Sequence, residues 1–210
     1  MNIAVIGASG KAGNLILNEA IRRGHQVTAI VRDTAKLTDE NVPVLEKDIF
    51  ELKQEDLKSF DVVINAFGAP LGEEDAHVNA GNKLIEILKG TNTRLIVVGG
   101  AGSLFTDDSR TVRVIDTPDF PDVIKPTASG QSRNLEELQK TSDLTWTFIS
   151  PSAIFDADGE LTGSYRVGDD VLLVNAKGES YISYADYAIA VVDEVENAKH
   201  INKRFTVVEE

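Results

Sequence analysis

The chain opens Asn2-Ile-Ala-Val-Ile-Gly7-Ala-Ser-Gly10-Lys-Ala-Gly13, a short apolar run that ends in three glycines spaced Gly-x-x-Gly-x-x-Gly. No other stretch constrains the fold as much, because it predicts a buried strand, a tight turn and a helix in immediate succession. Gly7 is free to turn sharply, and Gly10 lets backbone N–H groups approach a diphosphate without an intervening Cβ. Gly13 allows the helix to pack closely on the strand. From Asn14 to Arg23, Ile16, Leu17, Ala20 and Ile21 fall roughly on one helical face, so the turn feeds a helix whose positive end faces the phosphates. The spacing differs from the Gly-x-Gly-x-x-Gly dinucleotide fingerprint, and its strand-turn-helix context marks it as a relative of that motif. The candidate diphosphate residues are Gly7, Ser9, Gly10, Lys11, Ala12 and Gly13, with Ser9 supplying a hydroxyl and Lys11 a cation.

Composition bounds the rest. At 210 residues and 42% hydrophobic content the chain reads as one globular domain spanning 1–210. No run approaches the roughly 18 consecutive apolar residues of a membrane span. No basic segment precedes the first apolar run, so that run reads as a strand and the expected location is the cytoplasm. The absence of cysteine removes disulfides, thiolate catalysis and cysteine metal sites. His25, His77 and His200 are far apart and read as surface or loop residues, so no metal is expected. A net charge of −13 argues against a nucleic-acid partner, which would need clustered lysine and arginine.

The apolar segments alternate between strand and helix periods. Gln26–Val31 is a second strand and Val44–Glu46 a third, joined by a polar connection rich in Thr, Asp and Lys. Residues 61–66 and 95–98 are nearly continuous apolar runs, typical of parallel strands covered on both faces. Between them Glu74–Lys89 places Val78, Leu84, Ile85 and Leu88 at helical spacing, with Gly90 as C-cap. Residues 101–126, with Pro118, Pro121 and Pro126, form a long loop of the kind that carries function. A helix over 132–141, a sixth strand over 145–149, a small hairpin within 159–175, a helix over 184–198 and a last strand over 204–208 complete the chain. Over Tyr181–Ala190, Ile182, Ala185 and Ala188 dock that last helix, with Ser183 or Asp186 capping it, in preference to direct contact with a substrate. The expected fold is an α/β doubly wound parallel sheet of the Rossmann type, with helices on both faces and a small substrate-side lobe over about 151–183.

Ligands of such sheets lie across the carboxyl ends of the strands. The second strand ends at Arg32-Asp33, where an NAD-preferring chain carries an acidic residue against the ribose 2′-OH. A guanidinium there suits a 2′-phosphate, which favours NADP(H) over NAD(H), while Asp33 retains the option of a 2′-OH and a purely solvated Arg32 is the plain alternative. After the third strand, Asp48 is placed to accept from the adenine amino group and Ile49 to cover the ring. Ala66, Phe67 and Gly68 at the end of the fourth strand, and Gly99 and Gly100 at the end of the fifth, extend the crevice past the ribose.

Gly7-x-x-Gly10-x-x-Gly13, Arg32, Asp48 and Asn65-Ala-Phe-Gly together resemble an atypical short-chain dehydrogenase/reductase, a family of NAD(P)H-binding proteins. Trp146-Thr-Phe-Ile-Ser-Pro-Ser152 and Ser180-Tyr-Ile-Ser-Tyr-Ala-Asp-Tyr-Ala-Ile-Ala190 are similar to the subgroup named for NADH-flavin reductases, related to biliverdin-IX-beta/flavin reductase and to nitrogen-metabolite-repressor-like dinucleotide sensors. The chain departs from ordinary members in one respect: none of Tyr165, Tyr181, Tyr184 or Tyr187 has a lysine four residues on. Where that proton-donating pair is expected, residues 128–133 offer only Ser129, Gln131 and Ser132. Ketone chemistry needs such an acid, whereas a flavin can take its proton from water. The resemblance therefore implies hydride transfer from NADPH to a flavin or similar small planar acceptor, with no catalytic residue assigned and Ser103, Ser150 and Ser152 as candidate pocket residues. A non-catalytic NAD(P) sensor and an epimerase-like enzyme are the alternatives. Monomer and homodimer are both compatible with the sequence.

Overall fold

The computed structural model describes residues 1–37 and 41–210; Thr38, Asp39 and Glu40, in the polar connection before the third strand, lie outside it. An eight-stranded sheet runs in the order β3-β2-β1-β4-β5-β6-β10-β8. Its strands are β1 (Asn2–Ile6), β2 (Gln26–Val31), β3 (Val44–Glu46), β4 (Val62–Asn65), β5 (Arg94–Val98), β6 (Trp146–Ser150), β8 (Tyr165–Gly168) and β10 (Lys203–Glu209). All pairings are parallel except that of β8 with β10. This is a Rossmann-like α/β fold. Strand order reverses beside β1, which has β2 on one side and β4 on the other, so the chain ends of β1 and β4 flank the crevice where such sheets bind ligands.

Period-two alternation of the pleat assigns each strand residue to one of two cores. Ile3 and Val5 of β1 pack with Ile16, Leu17 and Ala20 of α1 (Lys11–Arg22) and with Val191 and Val195 of α5 (Tyr184–Asn197). Ala4 and Ile6 face the opposite core, with Leu84 and Leu88 of α3 (Glu74–Leu88) and Leu135 and Leu138 of α4 (Lys125–Gln139); the short α2 (Gln54–Leu57) adds Leu57 there. The apolar face of α1 is narrower than its sequence suggests, since Ile21 is 37% exposed. Gly90, with φ of +75°, follows α3 in the left-handed conformation expected of a helix end.

Three elements depart from the sequence reading. Helix α4 starts at Lys125, seven residues before the expected 132, because Pro126 sits in its first turn, where a missing N–H removes no helical hydrogen bond. The expected hairpin over 159–175 does not form. Instead β8 covers the otherwise open edge of β10, with Tyr165 opposite Glu209, and β7 (Ile154–Asp156) pairs in parallel with β9 (Tyr181–Ser183). The Ser183 hydroxyl caps α5 by accepting from the Asp186 N–H at 3.0 Å. Asp186 itself is buried and accepts from the backbone N–H groups of Thr162 and Gly163, tying the segment before β8 to α5.

His25 and His200 lie outside helices and strands, as expected, whereas His77 does not. His200 bonds to Glu194 through Nδ1 at 2.7 Å and stacks on Phe205, next to the buried Arg94–Glu194 ion pair. His77 is buried on α3. Among the described residues, no helix is long and apolar enough to cross a membrane.

Candidate functional site

The crevice over the β1/β4 edge has a narrow and a wide end. The narrow end, about 430 Å³, is lined by Gly7, Ser9, Gly10, Lys11, Ala12 and Gly13 of the glycine turn, by Arg32 and by Ile49. Gly7 has φ of +76°, and a Cβ there would come within 2.5 Å of the Ala66 carbonyl oxygen, so only glycine fits without strain. A Cβ on Gly13 would overlap the Gly7 carbonyl, which explains the close seating of helix on strand. Gly10 is the N-cap of α1, with extended backbone, no capping side chain and no acidic residue in the first turn. The first-turn amides and the positive end of α1 are therefore left for an anion, and the turn fits a diphosphate.

Arg32 is 71% exposed, with its Nε 3.9 Å from Asp48 Oδ2. Asp48 itself does not line the cavity; its Oδ1 accepts from the Phe50 N–H at 2.9 Å and caps a short 3₁₀ turn, while Ile49 does reach the wall. Asp33 similarly caps the turn over 34–36 by accepting from the Ala35 N–H. Two further cations line this end, Lys36 and Lys47, the latter held between both oxygens of Asp56 at 2.8 Å.

The wide end, about 640 Å³, shares Ala12, Ala66, Phe67, Gly68 and Tyr184 with the narrow one and continues to Gly99 and Gly100. These small residues have packing reasons as well: a Cβ on Gly99 would overlap the Phe148 ring, and one on Gly100 would overlap Oε1 of Gln131. Gln131 lines the cavity, as does Thr127 one helical turn earlier. Ser129 and Ser132 do not line it; they donate to Glu74 and to the Ala128 carbonyl. His77 lines the cavity edge-on to Phe67 at 5.7 Å, and burial pushes its imidazole below the ordinary value of 6.5. Tyr184 packs on Phe155 with ring centroids 3.9 Å apart, and burial raises its phenol.

The three candidate serines part company. Ser152 lines the wide end, although its hydroxyl donates to the Val207 carbonyl at 2.8 Å. Ser103 and Ser150 do not line it, because their hydroxyls accept from Nη1 of the buried Arg204 at 3.2 and 3.4 Å. Tyr184 lies in the segment read as docking in preference to substrate contact, and His77, Thr127 and Phe155 escaped the sequence reading. A signal existed for two of them: starting α4 at Lys125 puts Thr127 and Gln131 four apart on one face, and His77 lies three and four residues before Ala80 and Gly81 on the buried stripe of α3.

With this geometry in view, the chain belongs to the NAD(P)H-binding family, whose model matches residues 7–198. It is 61% identical over 211 residues to the uncharacterized protein YwnB of Bacillus subtilis strain 168, covering 100% of this chain and 99% of that protein. A provisionally assigned NADH-flavin reductase of Streptococcus pneumoniae TIGR4 has a crystal structure that superposes with a TM-score of 0.95, at 46% identity and 100% coverage of both chains. A provisionally assigned epimerase of Bacteroides thetaiotaomicron superposes with a TM-score of 0.90, at 37% identity over 99% of this chain and 96% of its own.

Proposed function

We propose that this protein is an NAD(P)H-dependent oxidoreductase of the short-chain dehydrogenase/reductase kind that prefers NADPH and reduces a flavin or similar planar small molecule. The observation that carries this reading is the pairing of a diphosphate-shaped narrow end with a roomy wide end that lacks a tyrosine-lysine acid. Tyr184 is the one tyrosine lining the wide end among the described residues, its fourth successor is Ala188, and no lysine lines that end. Burial makes the Tyr184 phenol a still poorer proton donor near neutrality.

The bound reduced nicotinamide would supply a hydride, leaving NADP⁺ and a reduced acceptor that takes its one proton from water. The chain's own contribution is positioning. The glycine turn and Arg32 would fix the diphosphate and 2′-phosphate, and Ala66, Phe67 and Gly68, which line both cavities, would hold the nicotinamide next to the acceptor. The S. pneumoniae relative's assigned activity agrees with this reading; the B. thetaiotaomicron relative's assignment points to the epimerase alternative.

The test is a fluorescence titration with NADPH and NADH, followed by absorbance loss of the reduced nicotinamide on adding flavins and quinones. Turnover well above the uncatalysed rate is expected. Tight dinucleotide binding with no turnover on any acceptor would replace the reductase by a sensor.

A further inference from the structure

Charge is divided sharply along the crevice. Lys11, Arg32, Lys36 and Lys47 line the narrow end, whereas no lysine or arginine lines the wide end among the described residues. The ionisable groups of the wide end are Asp119, His77 and Tyr184. Asp119 is exposed at the mouth, and burial holds His77 and Tyr184 in their neutral forms near neutrality. The polar capacity inside is uncharged. Among the described residues, the buried Thr127 hydroxyl has no hydrogen-bond partner and the Gln131 side-chain amide makes no hydrogen bond. The rim carries apolar side chains, with Leu71 67% exposed beside Ile124.

Such a lining fits a neutral ring and opposes an anion. A phosphate or carboxylate brought here gives up hydration without finding a cation, and it meets Asp119 and a chain of net charge −13. Ring carbonyls and imide N–H groups, by contrast, find a donor and acceptor in Thr127 and Gln131 that are otherwise unpaired. We propose that the wide end selects an uncharged planar acceptor, such as a riboflavin- or quinone-class ring, and discriminates through Asp119 against the same ring bearing a phosphate. This rests on the reductase reading above, and it makes Asp119 a specificity residue and Gln131 and Thr127 the groups that orient the ring.

Riboflavin and FMN share one ring system and differ by the phosphate, so they are the probes. Two measurements are made on the intact protein: steady-state reduction of each with NADPH, and equilibrium binding of each to the NADP⁺-loaded protein by flavin fluorescence. FMN is expected to show at least a tenfold higher KM and dissociation constant with similar kcat, and the gap should narrow with added salt and in Asp119→Asn. Gln131→Leu should raise the riboflavin KM severalfold with kcat little changed. FMN binding as tightly as riboflavin, or a gap unmoved in Asp119→Asn, would overturn the selectivity while leaving the reductase standing. Selective riboflavin binding without turnover would support the selectivity and remove the reductase reading. Failure of both flavins to bind would overturn the proposal outright.

Discussion

The two ends of the crevice are built by opposite rules. The narrow end centres on one contiguous segment, residues 7 to 13, whose glycines exclude side chains, and the cations Lys11, Arg32, Lys36 and Lys47 that line it favour an anion. The wide end is assembled from the end of β5, helices α3 and α4, the loop before α4, and the segment around β7, and it offers uncharged groups. On the proposed reading, diphosphate binding depends mainly on the local glycine turn, whereas acceptor choice depends on tertiary packing. Changes to the first should act on every substrate alike, and changes to the second should act on one substrate against another.

The largest expected effect comes from the turn. Gly13→Val places a branched side chain against the Gly7 carbonyl and displaces the turn, so affinity for both NADPH and NADH should fall roughly 100-fold, about 3 kcal/mol of binding free energy. Fluorescence titration measures it, with circular dichroism confirming the fold. An effect confined to one acceptor would break the division between the ends. Next in size, Arg32→Ala should weaken NADPH roughly tenfold, the value of one charge-assisted contact of about 1.5 kcal/mol, and leave NADH nearly unchanged. Equal losses for both dinucleotides would remove Arg32 from the 2′-phosphate.

Acid titration probes the wide end without any ligand. The pKa of His77 lies below its unfolded value of 6.5 because burial disfavours the charged ring, so the unfolded chain takes up the proton first. The stability it contributes is complete above pH 6.5 and is lost as pH falls below 6.5 through its lower folded value. Thermal melts across this range should therefore fall less steeply for His77→Gln than for wild type. Identical slopes would contradict the burial. The smallest functional effect is expected for Ser103→Ala and Ser150→Ala, whose hydroxyls serve Arg204. Kinetic constants should stay within about twofold while stability drops by about 1 kcal/mol, the worth of one hydrogen bond. A large KM change would return these serines to the pocket.

This asymmetry also governs what was legible in the sequence. The glycine turn and the ends of β1, β4 and β5 could be read because strand periodicity and glycine spacing are local signals. Arg32 could be read because it directly follows β2. The capping role of Asp48 was harder to read, because a carboxylate one residue before a 3₁₀ turn finds a partner in the nearby Phe50 N–H. Ser150 was misjudged because no local pattern announces that Arg204, 54 positions later, lies on the adjacent strand β10. The late placement of α4 hid Thr127, since Pro126 reads as a breaker unless it stands in a first turn. The hairpin failed for the same kind of reason, as the partner of β8 is the open edge of β10, known only once the sheet is assembled.

On the proposed reading, the crevice would bind a nicotinamide dinucleotide at its narrow end and deliver its hydride to a neutral planar acceptor at its wide end. The most direct test is a single titration of the wild-type protein with NADPH, to which riboflavin is then added. Saturable one-to-one binding is expected, followed by catalysed loss of the reduced-nicotinamide absorbance. Absence of saturable binding by both NADPH and NADH would contradict the account at its foundation.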